Sequence, residues 1–144
     1  MAGKSDYLEN KIIDHLFRSA TFSKPSTVYI GLLTAAPSDA GGGTEVSGGS
    51  YARIQVGPGD TNWNATQGGT SGNSSGTGGQ TANAADIQFA SPTANWGVIT
   101  HFGIYDAVTS GNLLYWAALT TPKTVNSGDA APKFVAGALT VTED

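Results

Sequence analysis

The stretch Trp96-Gly97-Val98-Ile99-Thr100-His101-Phe102-Gly103-Ile104-Tyr105-Asp106 is the longest run in the chain of residues that favour a β-strand. A turn rich in Ser, Gly and Asn follows at 109–112, and a second aromatic, β-rich segment runs from Leu113 to Leu119. Two such segments around such a turn predict a β-hairpin. We expect this hairpin to form the centre of the hydrophobic core.

The composition fits a single domain over residues 1–144 with an unusual surface. Hydrophobic residues make up 39% of the chain, but charged residues make up only 12%. An average soluble domain has about a quarter charged residues. The surface must therefore consist largely of Gly, Ser, Thr, Asn and Ala, which is typical of proteins that pack into large assemblies.

Charge and cysteine content exclude several classes of function. The net charge is −4 and the seven Lys and Arg residues are scattered, so we expect no binding to nucleic acid phosphates. The chain has no cysteine, which excludes disulfides and thiolate metal sites. No apolar segment follows Met1 as in a signal peptide, and none reaches the length of a membrane span.

The amino-terminal segment predicts the one helix, over residues 5–18. Ser5 suits the N-cap, and Asp6 and Glu9 place negative charge in the first turn, where the helix dipole favours it. Apolar residues at helical spacing form one stripe: Leu8, Ile12, Ile13, Leu16 and Phe17. We expect a sheet or a neighbouring subunit to cover this stripe, and we therefore predict a homo-oligomer.

The rest of the chain predicts strands separated by turns. Strands are expected at 27–34, 51–56, 84–90 and 134–141, with a turn and a short extended piece over 120–125. Segment 35–50 is interpreted as a surface loop, and the Gly/Ser/Thr-rich insert 66–81 as a flexible or exposed excursion. Within 51–56, the alternation predicts that Ala52, Ile54 and Val56 face the core and that Tyr51, Arg53 and Gln55 face outward. This pattern indicates a mainly β fold: an antiparallel β-sandwich or jelly-roll-like domain with one N-terminal α-helix.

No motif for catalysis, metal binding or cofactor binding is present. His15 and His101 lack the spacing of a zinc site, and there is no nucleophile elbow or phosphate-binding loop. Four aspartates are candidates for the paired catalytic carboxylates of glycoside hydrolysis, but all of them fall at predicted turns: Asp60, Asp86, Asp106 and Asp129. We expect no catalytic residue, metal or cofactor.

Contact residues for a partner are predicted on three parts of the chain. Trp63 stands beside the insert in a polar context, whereas Trp96 and Trp116 are expected to fill the core or to pair across strands. Together with the helix stripe and the outward side of 51–56, this gives the candidate interface residues Leu8, Ile12, Leu16, Tyr51 and Trp63.

Several segments resemble a family of small virion proteins of tailed bacteriophages and prophages. The resemblance rests on Ser5–Ile12, Leu33–Gly49, Tyr51–Arg53, Trp96–Ala107 and Gly111–Leu114, and it covers nearly the whole chain. Members of that family are described as tail-fibre-like proteins or as head and capsid decoration proteins. The family has no catalytic motif to carry over.

The resemblance implies a non-enzymatic virion structural protein, made in the host cytoplasm without a signal peptide. The leading expectation is a capsid decoration (cement) protein that binds the outer surface of the major capsid protein lattice. One alternative is a tail-tip or tail-fibre-associated protein, whose partners would be tail proteins of the same phage. Another is a host carbohydrate-binding module that uses Trp63. No contact with nucleic acid or membrane is expected.

Overall fold

The computed structural model describes residues 3–143 and shows a mainly β protein with one N-terminal helix. In chain order the elements are β1 (Gly3–Lys4), α1 (Asp6–Phe17), β2 (Val28–Ala35), β3 (Thr44–Glu45), β4 (Ile54–Val56), β5 (Gln80–Ala82), β6 (Ile87–Gln88), β7 (Gly97–Tyr105), β8 (Leu113–Val125), β9 (Lys133–Phe134) and β10 (Thr140–Thr142). All the strand pairs are antiparallel. The predicted fold class is confirmed.

The hairpin of β7 and β8 forms the centre of the main sheet, as predicted. Phe102 lies opposite Ala117, and Ile104 lies opposite Tyr115. The Asp106 carboxylate closes the turn, because it accepts hydrogen bonds from the backbone N–H of Asn112 (2.6 Å) and from its side-chain amide (2.7 Å). Strand β2 pairs with β7 on the side away from β8. The sheet order is β1-β8-β7-β2-β3, and β4 also pairs with β2.

Strand β8 is longer than the sequence predicts. The turn expected after residue 119 does not form, and the strand continues to Val125. The register between β7 and β8 changes in this region. Ile99 lies opposite Lys123, whereas His101, two residues further along β7, lies opposite Ala118, so β8 contains extra residues between these two pairs. Pro122, which has no N–H to donate, lies in this irregular section, where a proline is tolerated inside a strand.

A second layer packs on one face of the main sheet and makes the fold a sandwich. It consists of two short ribbons, β5 with β10 and β6 with β9. Side chains from both layers form one buried cluster, with Ile30, Leu32, Phe102, Ile104 and Ala117 from the main sheet and Ile87, Phe89, Leu139 and Val141 from the second layer. Burying each large side chain contributes about 1.5–3 kcal/mol, so this cluster is the main source of stability.

Two predicted segments differ from the structure. The single strand expected over 134–141 is divided into β9 and β10, because Gly137 (φ 82°) turns the chain and the Ala138 N–H donates to the carbonyl of Val135. The segment interpreted as a loop over 35–50 contributes β3, which pairs with β2, and the buried side chain of Val46. In both places glycines decide the path, and their effect on chain direction is hard to predict from a local pattern.

The insert 66–81 is an exposed excursion with hydrogen bonds of its own. The Gln67 side chain donates to the carbonyl of Asn73 (3.0 Å) and accepts from the N–H of Ser75 (2.8 Å). Gln80 and Thr81, at its end, already belong to β5 and pair with β10. The insert therefore leads directly into the second layer of the sandwich.

Candidate functional site

The predicted alternation over 51–56 fails before the strand Ile54–Val56, because Tyr51 points into the protein and Ala52 is exposed. The Tyr51 ring packs against Trp96 (centroids 5.4 Å apart, edge to face) and is stacked with Phe89 (6.2 Å). Its hydroxyl accepts a hydrogen bond from the N–H of Leu32 (2.9 Å) and donates one to Glu45 Oε1 (2.7 Å). Leu32 lies between the stretches of β2 that pair with β3 and with β4. The phenol thus satisfies a backbone donor that these strands leave free.

Arg53 is also buried, and its side chain is only 7% exposed. The guanidinium carbon lies 3.5 Å from the ring centroid of Tyr105. Nε and Nη2 donate to the two carboxylate oxygens of Glu45 (2.8 and 2.7 Å), and Nη1 donates to the carbonyls of Ala107 and Ser110 (both 2.8 Å). We call Glu45, Tyr51, Arg53 and Tyr105 the Arg53 cluster. It ties β3, the start of β4 and the β7–β8 turn together.

Two glycines make room for this cluster on the sheet. A Cβ atom on Gly103 would lie 2.7 Å from Cε2 of Tyr105 and 3.0 Å from Cδ1 of Leu113. A Cβ atom on Gly31 would lie 2.9 Å from Oε1 of Glu45. Gly31 and Gly103 are opposite each other in β2 and β7. The Tyr105 ring can therefore lie on bare backbone, beneath the guanidinium.

The electrostatics of the Arg53 cluster favour a structural role over a chemical one. Burial opposes the charge of Arg53, but the hydrogen bonds and the charge of Glu45 outweigh it and raise the pKa of the guanidinium. Burial, followed by the hydrogen bond to Glu45, raises the pKa of Tyr51. Burial and the charge of Glu45 raise the pKa of Tyr105. The cluster thus holds neutral phenols and a paired ion, and none of these is an activated nucleophile or base.

We expect the fold to lose stability at alkaline pH. Burial, with the hydrogen bond to Glu143, raises the pKa of Tyr115 as well, so three tyrosines keep their protons in the folded state. Unfolded tyrosine ionises near about pH 10. The contribution of these tyrosines to the free energy of unfolding is therefore complete below about pH 10. It is lost as the pH rises above that value, because the unfolded chain then binds fewer protons than the folded chain.

Urea unfolding at pH values between about 8 and 11 would measure this loss. The variant Tyr51→Phe cannot ionise at this position, so its free energy of unfolding should fall less steeply with pH than that of the wild type. Equal slopes for the two proteins would contradict the assignment of Tyr51.

A mainly apolar cavity of about 500 Å³ opens between the two layers of the sandwich. Its walls include Val28, Trp63, Ile104, Leu114, Tyr115 and Val141. The insert and its continuation into β5 contribute to the rim, through Thr66, Ser74, Gly79, Gln80 and Thr81, and Glu143 lies on the rim as well. Trp63 is half-buried here. The structure thus places this predicted contact residue in the wall of a cavity.

The apolar stripe of α1 is only partly covered. Leu8 is buried, and Ile12 is half-buried. The next turn exposes Ile13 (49%), Leu16 (65%) and Phe17 (80%). The helix is held at its start, where the Ser5 hydroxyl accepts from the N–H of Leu8 and the Ser5 N–H donates to the carbonyl of Leu114.

The predicted interface residues do not form one continuous site. Leu8 and Tyr51 make their contacts inside the chain, whereas Leu16 is exposed on the helix and Trp63 lines the cavity. Their role toward a partner stays a prediction. The Arg53 cluster could have been suspected only from the tyrosines and charges near Arg53, and nothing in the sequence indicated the cavity.

The histidines and three of the four turn aspartates have hydrogen-bond partners within the chain. His15 Nδ1 accepts from the N–H of Phe22 (3.2 Å), and His101 Nδ1 lies 2.8 Å from Thr100 Oγ1. Asp129 accepts from the N–H of Asn126 in its own turn, and Asp86 binds Lys133 and the N–H of Ala136, contacts that lower its pKa. Within residues 3–143, no group of three or more acidic or histidine side chains is arranged to hold a metal ion.

Comparison with known proteins places the chain in a family. The family model described as podophage GP4 fiber I protein gp80 matches residues 3–142. The chain belongs to this family. The match covers every element of the sandwich, including the insert, and it supports a phage structural protein found in the virion. A search of curated proteins found no match to the chain. In the part of the chain that the structure describes, no helix of this fiber-family protein is long and apolar enough to cross a membrane.

Proposed function

We propose that this protein is a non-enzymatic structural component of a phage fibre, assembled with tail proteins of the same phage. The observation that carries the proposal is the fiber-family match over residues 3–142. The sequence alone favoured a capsid decoration protein, with a tail-fibre-associated protein as the alternative. The family description supports the alternative better than the capsid assignment.

The surface of the molecule supports an assembly role. The chain carries few charges, and the partly buried ion pair of Glu45 with Arg53 stabilises its own fold. Exposed loops rich in glycine and serine can approach a neighbouring chain closely, since they have little side chain to displace. The apolar end of α1 is exposed, as expected of a contact surface.

The cavity beside Trp63 gives less support to a carbohydrate-binding module. Sugar recognition needs several converging hydrogen-bonding groups in addition to an aromatic surface. Thr81 Oγ1 already donates to the carbonyl of Asn64 (2.7 Å), and the Tyr115 hydroxyl already donates to Glu143. These two hydroxyls, which line the cavity, are thus already engaged within the chain.

Immunogold electron microscopy of purified virions would test the proposal. Antibodies against this chain should label the tail region, and mass spectrometry should find far fewer copies than of the major capsid protein. Virions from a phage with the gene deleted serve as the control for antibody specificity. Label spread over the head, at a copy number close to that of the capsid protein, would favour decoration. Absence from the virion would contradict both structural roles.

A further inference from the structure

The exposed end of α1 is an apolar projection without cover in its own chain. Ile13, Leu16 and Phe17 lie within five residues on a single helix, and Phe17 is 80% exposed. Moving such side chains out of water is favourable by about 25 cal/mol for each Å² that becomes buried. Isolated exposed apolar residues are common, but a cluster that ends in phenylalanine is characteristic of a contact surface.

The cavity next to Trp63 is an apolar recess without an occupant from the described residues 3–143. Its volume of about 500 Å³ is within the usual range for binding pockets, about 300–1,000 Å³. None of the residues that line it belongs to α1. Because its wall is mainly apolar, an apolar side chain suits the recess better than a sugar or another polar ligand.

We propose that the end of α1 from one copy of the chain inserts into the cavity of a second copy. A single sequence supplies both an aromatic projection and an apolar recess, and aromatic anchors in pockets are the usual energetic centre of an interface. The charges beside them are opposite. Arg18, with a side chain that is 72% exposed, follows Phe17, and Glu143, which is 45% exposed, lines the cavity. Each is paired in its own chain, Arg18 with Asp14 and Glu143 with Lys4, but exposed pairs contribute only about 0–1 kcal/mol and can exchange partners.

This contact joins two different surfaces of the same chain. Repeated from copy to copy, it generates a closed ring or an open filament; if two copies exchange helices, it closes a twofold dimer. The contact rests only on surfaces of this chain, so it can be tested independently of the assignment to a fibre. If purified protein did not form this contact, the proposed location in the phage fibre would not be affected.

Disulfide trapping would test the contact directly, because the chain has no cysteine of its own. Ser19→Cys places a thiol just beyond the exposed helix end, and Gln80→Cys places one on the rim of the cavity. Mixed under mild oxidation, the two variants should form a mixed disulfide dimer. Thr121→Cys, on exposed β8 away from the cavity, replaces Gln80→Cys in the control. Equal cross-linking in the two mixtures would overturn the proposal.

Self-association gives a second, independent measurement. The double variant Leu16→Gln/Phe17→Gln alters only exposed side chains and should weaken association at least about tenfold in sedimentation experiments, the equivalent of about 1.4 kcal/mol. Val108→Gln/Val135→Gln, at positions 52% and 51% exposed, is the matched control and should associate like the wild type. A wild type that stays monomeric at high concentration, or a helix variant that associates unchanged, would overturn the proposal.

Discussion

Replacing Arg53 with alanine should lower the free energy of unfolding by about 3–5 kcal/mol, the usual cost of breaking a buried ion pair by removing one partner. The Arg53 side chain is 7% exposed, and its guanidinium makes four hydrogen bonds, two of them to Glu45. Its loss also removes the cover from the Tyr105 ring and the contacts with the turn at Ala107 and Ser110. A domain of this size has about 5–15 kcal/mol of stability, so this one change could remove half of it.

Urea denaturation of the wild type and the variant would give the difference. Arg53→Lys keeps the charge but cannot make the two-pronged contact with Glu45 or stack flat on Tyr105, so it should recover only part of the loss. Arg18→Ala is the matched control, because that side chain is 72% exposed and pairs with Asp14 at 3.3 Å. Exposed pairs contribute about 0–1 kcal/mol. Similar losses for Arg53→Ala and Arg18→Ala would contradict a structural role for the cluster.

The Arg53 cluster also shows how far a local pattern can predict a fold. Alternation, in which successive side chains of a strand point to opposite faces, predicted β-structure over 51–56, but only Ile54–Val56 forms a strand. The alternation could not show that the face of the main sheet that points away from the core is covered as well. That face is covered because Glu45 and Tyr105, from distant parts of the sequence, meet Arg53 there. Contacts of this kind depend on how the strands pair, and the sequence of a single segment carries no information about that pairing.

The elements that were predicted correctly have strong local determinants. The β7–β8 hairpin has two β-rich segments and a turn closed by Asp106, and the helix has an N-cap at Ser5. The incorrect boundaries, at 120–125 and at 134–141, depend on tertiary structure. In the first, pairing with β7 keeps the chain extended through Pro122. In the second, Gly137 turns the chain, and a buried side chain from another segment satisfies backbone groups at the interruption.

That side chain is Asn83, and its replacement by alanine is the second change expected to have a large effect. Asn83 is fully buried, between β5 and β6. Its amide group donates to the carbonyls of Ala85 (2.8 Å) and Val135 (2.9 Å), and its Oδ1 accepts from the N–H of Leu139 (2.8 Å). The ribbon of β5 with β10 and that of β6 with β9 follow one another along the chain, and Asn83 lies between them.

Asn83→Ala leaves the Leu139 N–H and two carbonyls without these partners. The buried Leu139 N–H that loses its hydrogen bond costs about 1–3 kcal/mol, and each of the two part-buried bonds to carbonyls contributes about 0.5–1.5 kcal/mol. We therefore expect a total loss of about 2–6 kcal/mol in urea denaturation. Asn83→Asp keeps the acceptor for Leu139 but removes the donors and buries a negative charge. Its stability should therefore rise as the pH falls and the carboxyl group takes up a proton, because protonation favours the folded state.

Asn73→Ala, in the exposed insert, is the matched control and should change stability by no more than about 0.5 kcal/mol. Hydrogen exchange gives a local measurement as well. In the wild type the amide of Leu139, a residue only 1% exposed, should exchange slowly, and in Asn83→Ala it should exchange much faster than amides at the centre of β7. If the Leu139 amide kept its protection in the variant, the second layer would not depend on Asn83. The second layer would then be held to the main sheet only by apolar contacts, such as that of Phe102 with Phe134.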